Sequence, residues 1–412
     1  MVFATQPGLG VKSEAGGCSR QAPSPSVTRM QQYFLPGWGR VKKSHSSDFH
    51  WGGCLLATRC EPWKAMAHKM VITLVYRVGY RRASSLYSRL HSTYVKRMRY
   101  MSELKDNDDA CRKASNSGTF FLFHNYSPFL QEKGNMLLAP KLNAAEIKRI
   151  LEKFRQSEEK IEDSMLVGCS NECRPYFALD LGSLERSALE AELNGSFGEM
   201  RKAFFQLEEE DASLISTAQA LLRWHDNNQY CGKTGQLTVK NLAGSKRVCQ
   251  SSEIIYYPQM SPVVITLVSD GSRCLLVRQA SFPKGMYSAL SGFCDIGETL
   301  EETLQREVAE EVGLEVESVS YSASQHWPFP SSTLMIGCHA LVNPQQSKIN
   351  INRQELEAAE WFSHGEVVKA LGRNPKPSKD KDDNLSFWVP PKQAIAHQLI
   401  QEWVKKQGPV PT

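Results

Sequence analysis

The sequence predicts an α/β (α+β) protein in which a helix-covered mixed sheet at the C-terminal end follows a smaller α+β domain. Three observations carry that expectation. The aliphatic runs Val263–Val268 and Cys274–Arg278 flank Ser269-Asp270-Gly271-Ser272, the composition of a tight hairpin. Leu300, Leu304, Val308 and Val312 fall at steps of four within an acidic stretch, the apolar stripe of a helix lying on a core. Upstream, strand-like runs such as Thr119–Phe123 alternate with helix-like segments, which requires a second layered unit.

Taken in order, residues 1–65 are rich in Gly, Pro and Ser, as in the segment 21–26 (QAPSPS), and predict a disordered extension. Residues 66–109 form a basic segment. From Glu61 to Glu103 no acid intervenes, while nine Lys and Arg alternate with serines and aromatics. That is the composition of a mitochondrial transit peptide, and a start at Met66 or Met70 would place it at an N-terminus. Residues 110–225 predict the first domain, with strands at Thr119–Phe123 and Tyr176–Leu181, a helix at Ala144–Arg155 and a long helical tract from Leu189 to Trp224. Residues 226–255 read as a linker. Residues 256–405 predict the second domain. After the hairpin come a strand at Tyr287–Leu290, the acidic helix from Glu298 to Val312 with Gly313 as its stop, and strands at Glu315–Tyr321, Leu334–Leu341 and Ala359–Phe362. A helix over Pro391–Lys405 closes the chain.

Composition excludes some classes. No apolar run approaches the roughly 20 residues of a membrane span; Met70–Tyr76 is the longest candidate. The net charge of +5 conceals an asymmetry: residues 1–102 hold 16 Lys and Arg against three acids, a net of +13, and the remainder carries 33 against 41, a net of −8. An acidic body disfavours nucleic-acid binding through bulk charge. The 11 cysteines are scattered and odd in number, so reduced thiols are expected.

The chemistry gathers at Gly292, Glu298 and the run Arg306–Leu314 (REVAEEVGL). Glu307, Glu310 and Glu311 stand at i, i+3 and i+4, so their carboxylates share one helix face. Like charges packed together call for a cation, and hard oxygen donors suit Mg²⁺ or Mn²⁺, which hold phosphate oxygens in turn. Arg306 is placed to pair with a neighbouring glutamate and fix its rotamer. Gly292 and Gly297 let backbone approach the metal and substrate. Beyond the helix, Ser324–Ser332 (SQHWPFPSS) reads as a proline-braced loop whose aromatics wall a pocket for a planar ring.

The pattern G-x5-E-x7-R-E-U-x-E-E-x-G-U (U aliphatic) resembles the box of the Nudix hydrolases. The later segment is similar to the S-Q-P-W-P-F-P-x-S array of the NADH pyrophosphatases within them, with His326 in place of a proline. The resemblance spans nearly all of residues 110–405. It implies a Nudix α/β/α sandwich, a smaller N-terminal domain and, between them, a degenerate zinc ribbon. Cys231 and Cys249 hold the first position of each ribbon pair, and Thr234 and Ser252 stand where the second cysteines belong. Two thiolates do not close a tetrahedral site, so no structural zinc is expected.

The resemblance also implies residue roles. Glu307 and Glu311 match principal metal ligands, joined by Glu355 and the Ser291 carbonyl, for two or three Mg²⁺ or Mn²⁺ ions. Glu298 and Arg306 complete the catalytic set, and Glu310 is the expected proton acceptor. Phe293 and Tyr257 match aromatics that hold a nicotinamide, the tyrosine reaching across a homodimer interface. Gln325, His326, Trp327, Pro328, Phe329, Pro330, Ser331, Ser332 and Ala396 match the rest of the pocket. The activity implied is hydrolysis of the NAD(P)H diphosphate to reduced nicotinamide mononucleotide and an adenosine 5′-phosphate, in mitochondria and without a membrane. Two alternatives are removal of an NAD cap from RNA and a non-catalytic dinucleotide sensor; the intact box favours an enzyme.

Overall fold

The computed structural model describes residues 93–134, 136–373 and 387–408. The expected extension and most of the basic transit-like segment lie outside these residues. Among the described residues, no helix is long and apolar enough to cross a membrane.

The described chain opens with helix α1 (93–106) and α2 (Asp108–Ser115). A seven-stranded sheet follows: β1 (Thr119–His124), β2 (Ser127–Lys133), β3 (Met136–Leu138), β4 (Leu142–Asn143), β5 (Met165–Cys169), β6 (Pro175–Asp180) and β7 (Ser196–Phe197). Its main path is β3-β2-β1-β6-β5, with β4 on β1 and β7 on β2. Strand β1 is apolar at consecutive positions because both its faces are covered. Phe120 and Leu122 meet Ile147 and Leu151 of α3 (Ala144–Lys153) on one side. On the other, Phe121 and Phe123 meet residues of α5 (Met200–Gln206) and α6 (Glu209–Asn227).

The long helical tract expected over 189–224 is instead three helices, with α4 (Arg186–Leu193) preceding α5 and α6. The break has a local cause. Asn194 caps α4 in the left-handed region at φ 51°. At Gly195 a Cβ would stand 2.5 Å from the Phe129 ring and 2.6 Å from the Leu130 carbonyl, so only glycine lets β7 reach β2.

The expected linker is a three-stranded antiparallel sheet: β8 (Thr238–Lys240), β9 (Arg247–Cys249) and β10 (Ile255–Tyr256). It is fastened to the first domain by polar contacts. Buried His225 at the end of α6 bonds the Gly244 carbonyl at 2.8 Å, and Lys240 donates to the carbonyls of Glu162 and Ser164 at 2.7 and 3.3 Å.

The last unit is a six-stranded mixed sheet of order β14-β15-β11-β12-β16, with β13 paired to β11. Its strands are β11 (Ser261–Ser269), β12 (Arg273–Arg278), β13 (Leu290–Phe293), β14 (Val316–Trp327), β15 (Thr333–Val342) and β16 (Ala358–Ser363). Strands β11 and β15 run parallel, and the predicted hairpin pairs Val268 with Leu275. Helix α7 (Leu300–Val312) lays Leu304, Val308 and Val312 on one face; α9 (Ile395–Lys406) lays Leu399, Ile400 and Trp403 on the other. The result is an α/β/α sandwich, with α8 (His364–Leu371) beside α9.

Three local expectations shift. The strand placed at Tyr287–Leu290 lies at Leu290–Phe293, which brings Gly292 into the sheet opposite Val264. The loop placed at Ser324–Ser332 is half strand: Gln325, His326 and Trp327 pair with Met335, Leu334 and Thr333, leaving only 328–332 to turn. Helix α9 begins at Ile395, after a turn over 391–394.

Candidate active site

Helix α7 is held at both ends, and that fixes its glutamates. Thr299 caps it through a reciprocal box with Glu302, with bonds of 3.2 and 2.7 Å. Glu298 therefore lies just ahead of the helix rather than within it. At the other end Gly313 closes the helix at φ 68°. The segment after β15 docks there: Asn350 and Asn352 donate their backbone N–H groups to the Val312 and Glu311 carbonyls, each at 2.9 Å. Asn352 also donates its side-chain amide to the Glu355 carboxylate at 3.2 Å, and buried Leu356 anchors the far side. These contacts deliver Glu355 to the helix.

The consequence is a cluster of three carboxylates. Glu307, Glu311 and Glu355 each offer an oxygen within 4.8 Å of the others. Glu307 and Glu311 are buried, Glu355 exposed. Burial, reinforced by the charges of Glu307 and Glu355, pushes the Glu311 carboxyl up to about 8. Glu307 is raised too, chiefly by burial, although Arg306 acts against that. Among the described residues, the Glu311 Oε2 atom is buried without a hydrogen-bond partner. An orphaned carboxylate oxygen amid two more carboxylates fits a hard divalent cation such as Mg²⁺ or Mn²⁺.

Arg306 organises the approach. It bonds Glu298 through Nε at 2.6 Å and Nη2 at 2.9 Å, Glu307 at 2.8 Å, Glu310 at 3.1 Å and the Phe293 carbonyl at 2.9 Å. That bond to Arg306, then the Asp295 N–H and Thr303, hold the Glu298 carboxyl down at about 2. Glu298 is thus a fixed anion that sets Arg306. Glu310 shares the helix with the cluster but stands apart from it, half exposed and tied to Arg306. Gly292 makes the close approach possible: a Cβ there would coincide with the Glu307 carboxylate. Ser291 precedes it on β13, opposite Ile265.

The aromatic array is placed differently from expectation. Phe329 is buried in the first domain's core, 5.7 Å ring to ring from Phe204, with the Arg201 guanidinium 4.6 Å from its ring centroid. Trp327 packs edge-on against Phe204 at 5.4 Å and Phe205 at 6.1 Å. Pro328 is buried, and the Pro330 carbonyl accepts from Arg223. These residues join the two domains, so Phe329 is not free to stack on a ligand here. Ser331 is exposed, and Ser332, at φ 58°, bonds His326 Nε2 at 3.0 Å.

Gln325 also has structural partners. Its amide donates to the Gln393 carbonyl at 2.7 Å and accepts from the Ile395 N–H at 2.9 Å, serving as a remote cap for α9, whose own Ala394 offers none. A cleft of about 600 Å³ opens between the domains, lined by Phe204, Ser213, Gln325, His326, Lys392 and Gln393 among others. Ala396 is buried in the core under α9 and is not among the residues lining the cleft. Phe293 and Tyr257 both lie at the surface, at 38% and 58% exposure.

Sequence reasoning missed Thr303, Asn350 and Asn352. Their only signal was polarity at the helix start and in the segment before Glu355.

Residues 258–389 match the NUDIX domain family, 117–224 the NADH pyrophosphatase-like rudimentary NUDIX domain, and 226–257 the NADH pyrophosphatase zinc ribbon domain. The human protein named NAD(P)H pyrophosphatase NUDT13, mitochondrial, is 60% identical over 328 residues, covering 77% of this chain and 93% of that one. The mouse protein of that name is 58% identical over 346 residues, covering 82% and 98%. The human NAD-capped RNA hydrolase NUDT12 is 40% identical over 213 residues, covering 49% of this chain and 44% of its own. Three family matches in the same order as the three folded units, and identity of this extent over nearly the whole of two relatives, leave one assignment: the chain belongs to the NADH pyrophosphatase-type Nudix proteins.

Proposed function

We propose that the chain hydrolyses the diphosphate of NADH or NADPH, giving reduced nicotinamide mononucleotide and an adenosine 5′-phosphate. The observation that carries this reading is the convergence of Glu307, Glu311 and Glu355 in a chain 60% identical to a protein named for that activity. Glu307, Glu311, Glu355 and the Ser291 carbonyl would hold two or three divalent ions. A bound Mg²⁺ or Mn²⁺ supplies charge neutralisation for the diphosphate and activation of the attacking water.

The chain's own groups do the rest. Arg306, fixed by Glu298, holds the Glu307 rotamer. Glu310, half exposed and anchored at 3.1 Å to Arg306, accepts the proton from water. Phe293 and Tyr257 offer exposed rings to the nicotinamide, and the cleft bordered by Gln325 and His326 takes the remainder of the dinucleotide.

A homodimer completes the site in this reading. Tyr230, Leu237, Val239, Ile255, Tyr257 and Met260 are exposed on the ribbon and its exit, apolar surface suited to a second copy. The mitochondrial address rests on the names of the two close relatives. Zinc is not part of the reading, because two ribbon thiols do not close a site.

Chromatographic product analysis of the purified chain with Mg²⁺ or Mn²⁺, offered NADH, NADPH, NAD⁺ and ADP-ribose separately, tests it. Reduced nicotinamide mononucleotide released fastest from a reduced dinucleotide supports the proposal. A folded chain that binds NADH and cleaves none of them is a sensor. Because the relatives sharing half the chain are named NAD-capped RNA hydrolases, an NAD-capped RNA belongs in the same panel; faster cleavage of the cap would move the function there.

A further inference from the structure

The ribbon keeps the two turns of a metal knuckle pair with only two of its four donors. Cys231 and Cys249 each open a tight turn in which the residue four positions on, Gly235 or Glu253, donates its N–H to the cysteine carbonyl at 2.8 Å. Both of those residues sit in the left-handed region, at φ 69° and 57°. Glu253 adopts this conformation despite its side chain, so the second turn is retained at a conformational cost. The two turns point their side chains at one place. Thr234, from the first turn, has its hydroxyl 3.4 Å from the Cys249 sulfur; Ser252, from the second, has its hydroxyl 3.7 Å from the Cys231 sulfur.

Each hydroxyl thus reaches across to the cysteine of the other turn, which brings the two sulfurs into one cluster. Ser251 bonds Cys249 at 3.3 Å, and the Tyr256 hydroxyl bonds Cys231 at 3.1 Å. Two thiols and two neutral hydroxyls are not a structural zinc set, which takes four Cys or His donors or a charged carboxylate. The residues present do not fit the ion implied by the family match.

They fit a different cross-link. We infer that Cys231 and Cys249 are a reversible dithiol–disulfide pair, closed by a small peroxide oxidant, that joins the two turns where a zinc ion joins them in a complete ribbon. Hydroxyls of Ser252 and Tyr256 lie against the Cys231 sulfur and those of Thr234 and Ser251 against the Cys249 sulfur, and among the described residues no other thiol is bonded to either. Each is covered, but the cover is thin: Gly232, Lys233, Thr234, Gln250 and Ser251 are all exposed, so a small oxidant has a short path. Hydroxyl and backbone N–H donors aimed at sulfur hold both thiols below their ordinary range, at about 7 for Cys231 and about 5 for Cys249.

The chemistry balances. The Cys249 thiolate displaces hydroxide from the peroxide and becomes a sulfenic acid. The Cys231 sulfur then attacks that sulfur and expels hydroxide, which takes up the thiol proton. Two thiols and one hydrogen peroxide yield one disulfide and two waters.

Peptide mapping of the full chain, reduced, desalted and then treated with limiting hydrogen peroxide, tests the inference. The expected result is a peptide pair joining Cys231 to Cys249, lost on adding a dithiol reductant, with a higher melting temperature in the oxidised form. Cys231→Ser keeps a hydroxyl in the cluster and hence the ribbon; in that variant Cys249 is expected to stop at a sulfenic acid captured by a cyclic diketone. The inference is overturned if both thiols remain open to alkylation after oxidation, if either is recovered bonded to another cysteine, or if the purified chain carries stoichiometric zinc that shields them.

Discussion

The α-carbon of Gly292 and the carboxylate of Glu307 lie so close that residue 292 has no room for a single methyl group. A Cβ on residue 292 would coincide with the Glu307 carboxyl group. Strand β13 is fixed by its pairing with β11, so the glutamate has to yield. Gly292→Ala is expected to lower kcat/KM about a hundredfold or more, the scale of an ångström-sized misplacement. The far-ultraviolet circular dichroism should be unchanged, since φ at this position is ordinary. Near-normal turnover would mean that Glu307 is not held where its geometry requires.

A second prediction concerns delivery of Glu355. Its place depends on Asn352, which bonds the Glu311 carbonyl through its backbone and the Glu355 carboxylate through its amide. Asn352→Ala keeps the first bond and removes the second. Loss of such a supporting bond weakens metal affinity by roughly 10- to 100-fold. Titration of Mn²⁺ binding should show that loss, with activity recovered at high metal concentration. An unchanged affinity would place the metal elsewhere.

The third prediction is protonic. The Glu311 carboxyl is raised from 4.5 to about 8, so the metal-free fold takes up a proton on folding between those values. Stability of the metal-free chain from this group is therefore full at low pH and falls as pH rises toward 8. Metal binding needs the ionised form and must release protons at neutral pH. Calorimetry in two buffers of different ionisation enthalpy should reveal that release, and the apparent affinity should weaken as pH falls below 8. Identical heats in both buffers would contradict a protonated Glu311.

His225 acts with the opposite sign. Burial lowers it from 6.5 to about 4, and in the neutral form it bonds the Gly244 carbonyl while Arg247 approaches its other nitrogen at 3.2 Å. Its contribution is present above pH 6.5 and is lost as pH falls toward 4. The gap in melting temperature between the native chain and His225→Gln should narrow across that window. A constant gap would mean the imidazole titrates normally.

The sequence exposed α7 because its signals are local. The four-step stripe, the glutamates at i and i+4 and the stop at Gly313 all lie within one short segment. The hairpin at 269–272 is local in the same way. Elsewhere, partners far along the chain decided the outcome. The break at Asn194–Gly195 depends on Phe129 and Leu130, and the ribbon strands depend on a fold that two remaining cysteines announce poorly. Glu355 carries no spacing signal relative to α7; the resemblance alone singled it out. Residues 324–327 looked like a loop because prolines follow closely, yet pairing with β15 keeps them extended.

The array bears on the last prediction. Its aromatics were expected to wall a substrate pocket, but Phe329 is buried against Phe204 and the Arg201 guanidinium, in the core of the other domain. Truncating a buried aromatic costs about 3–5 kcal/mol. If Phe329 joins the domains, Phe329→Ala should lower stability by that order and leave KM for NADH near its native value in the fraction that stays folded. If the ring contacts the dinucleotide instead, KM should rise at nearly constant stability. Denaturant unfolding and steady-state kinetics on one preparation separate the two. We expect the first, because Trp327 and Phe205 continue the same cluster and the Pro330 carbonyl is tied to Arg223 on α6. On that outcome the array fixes the wall on which Gln325 and His326 stand, beside the cleft proposed for the dinucleotide.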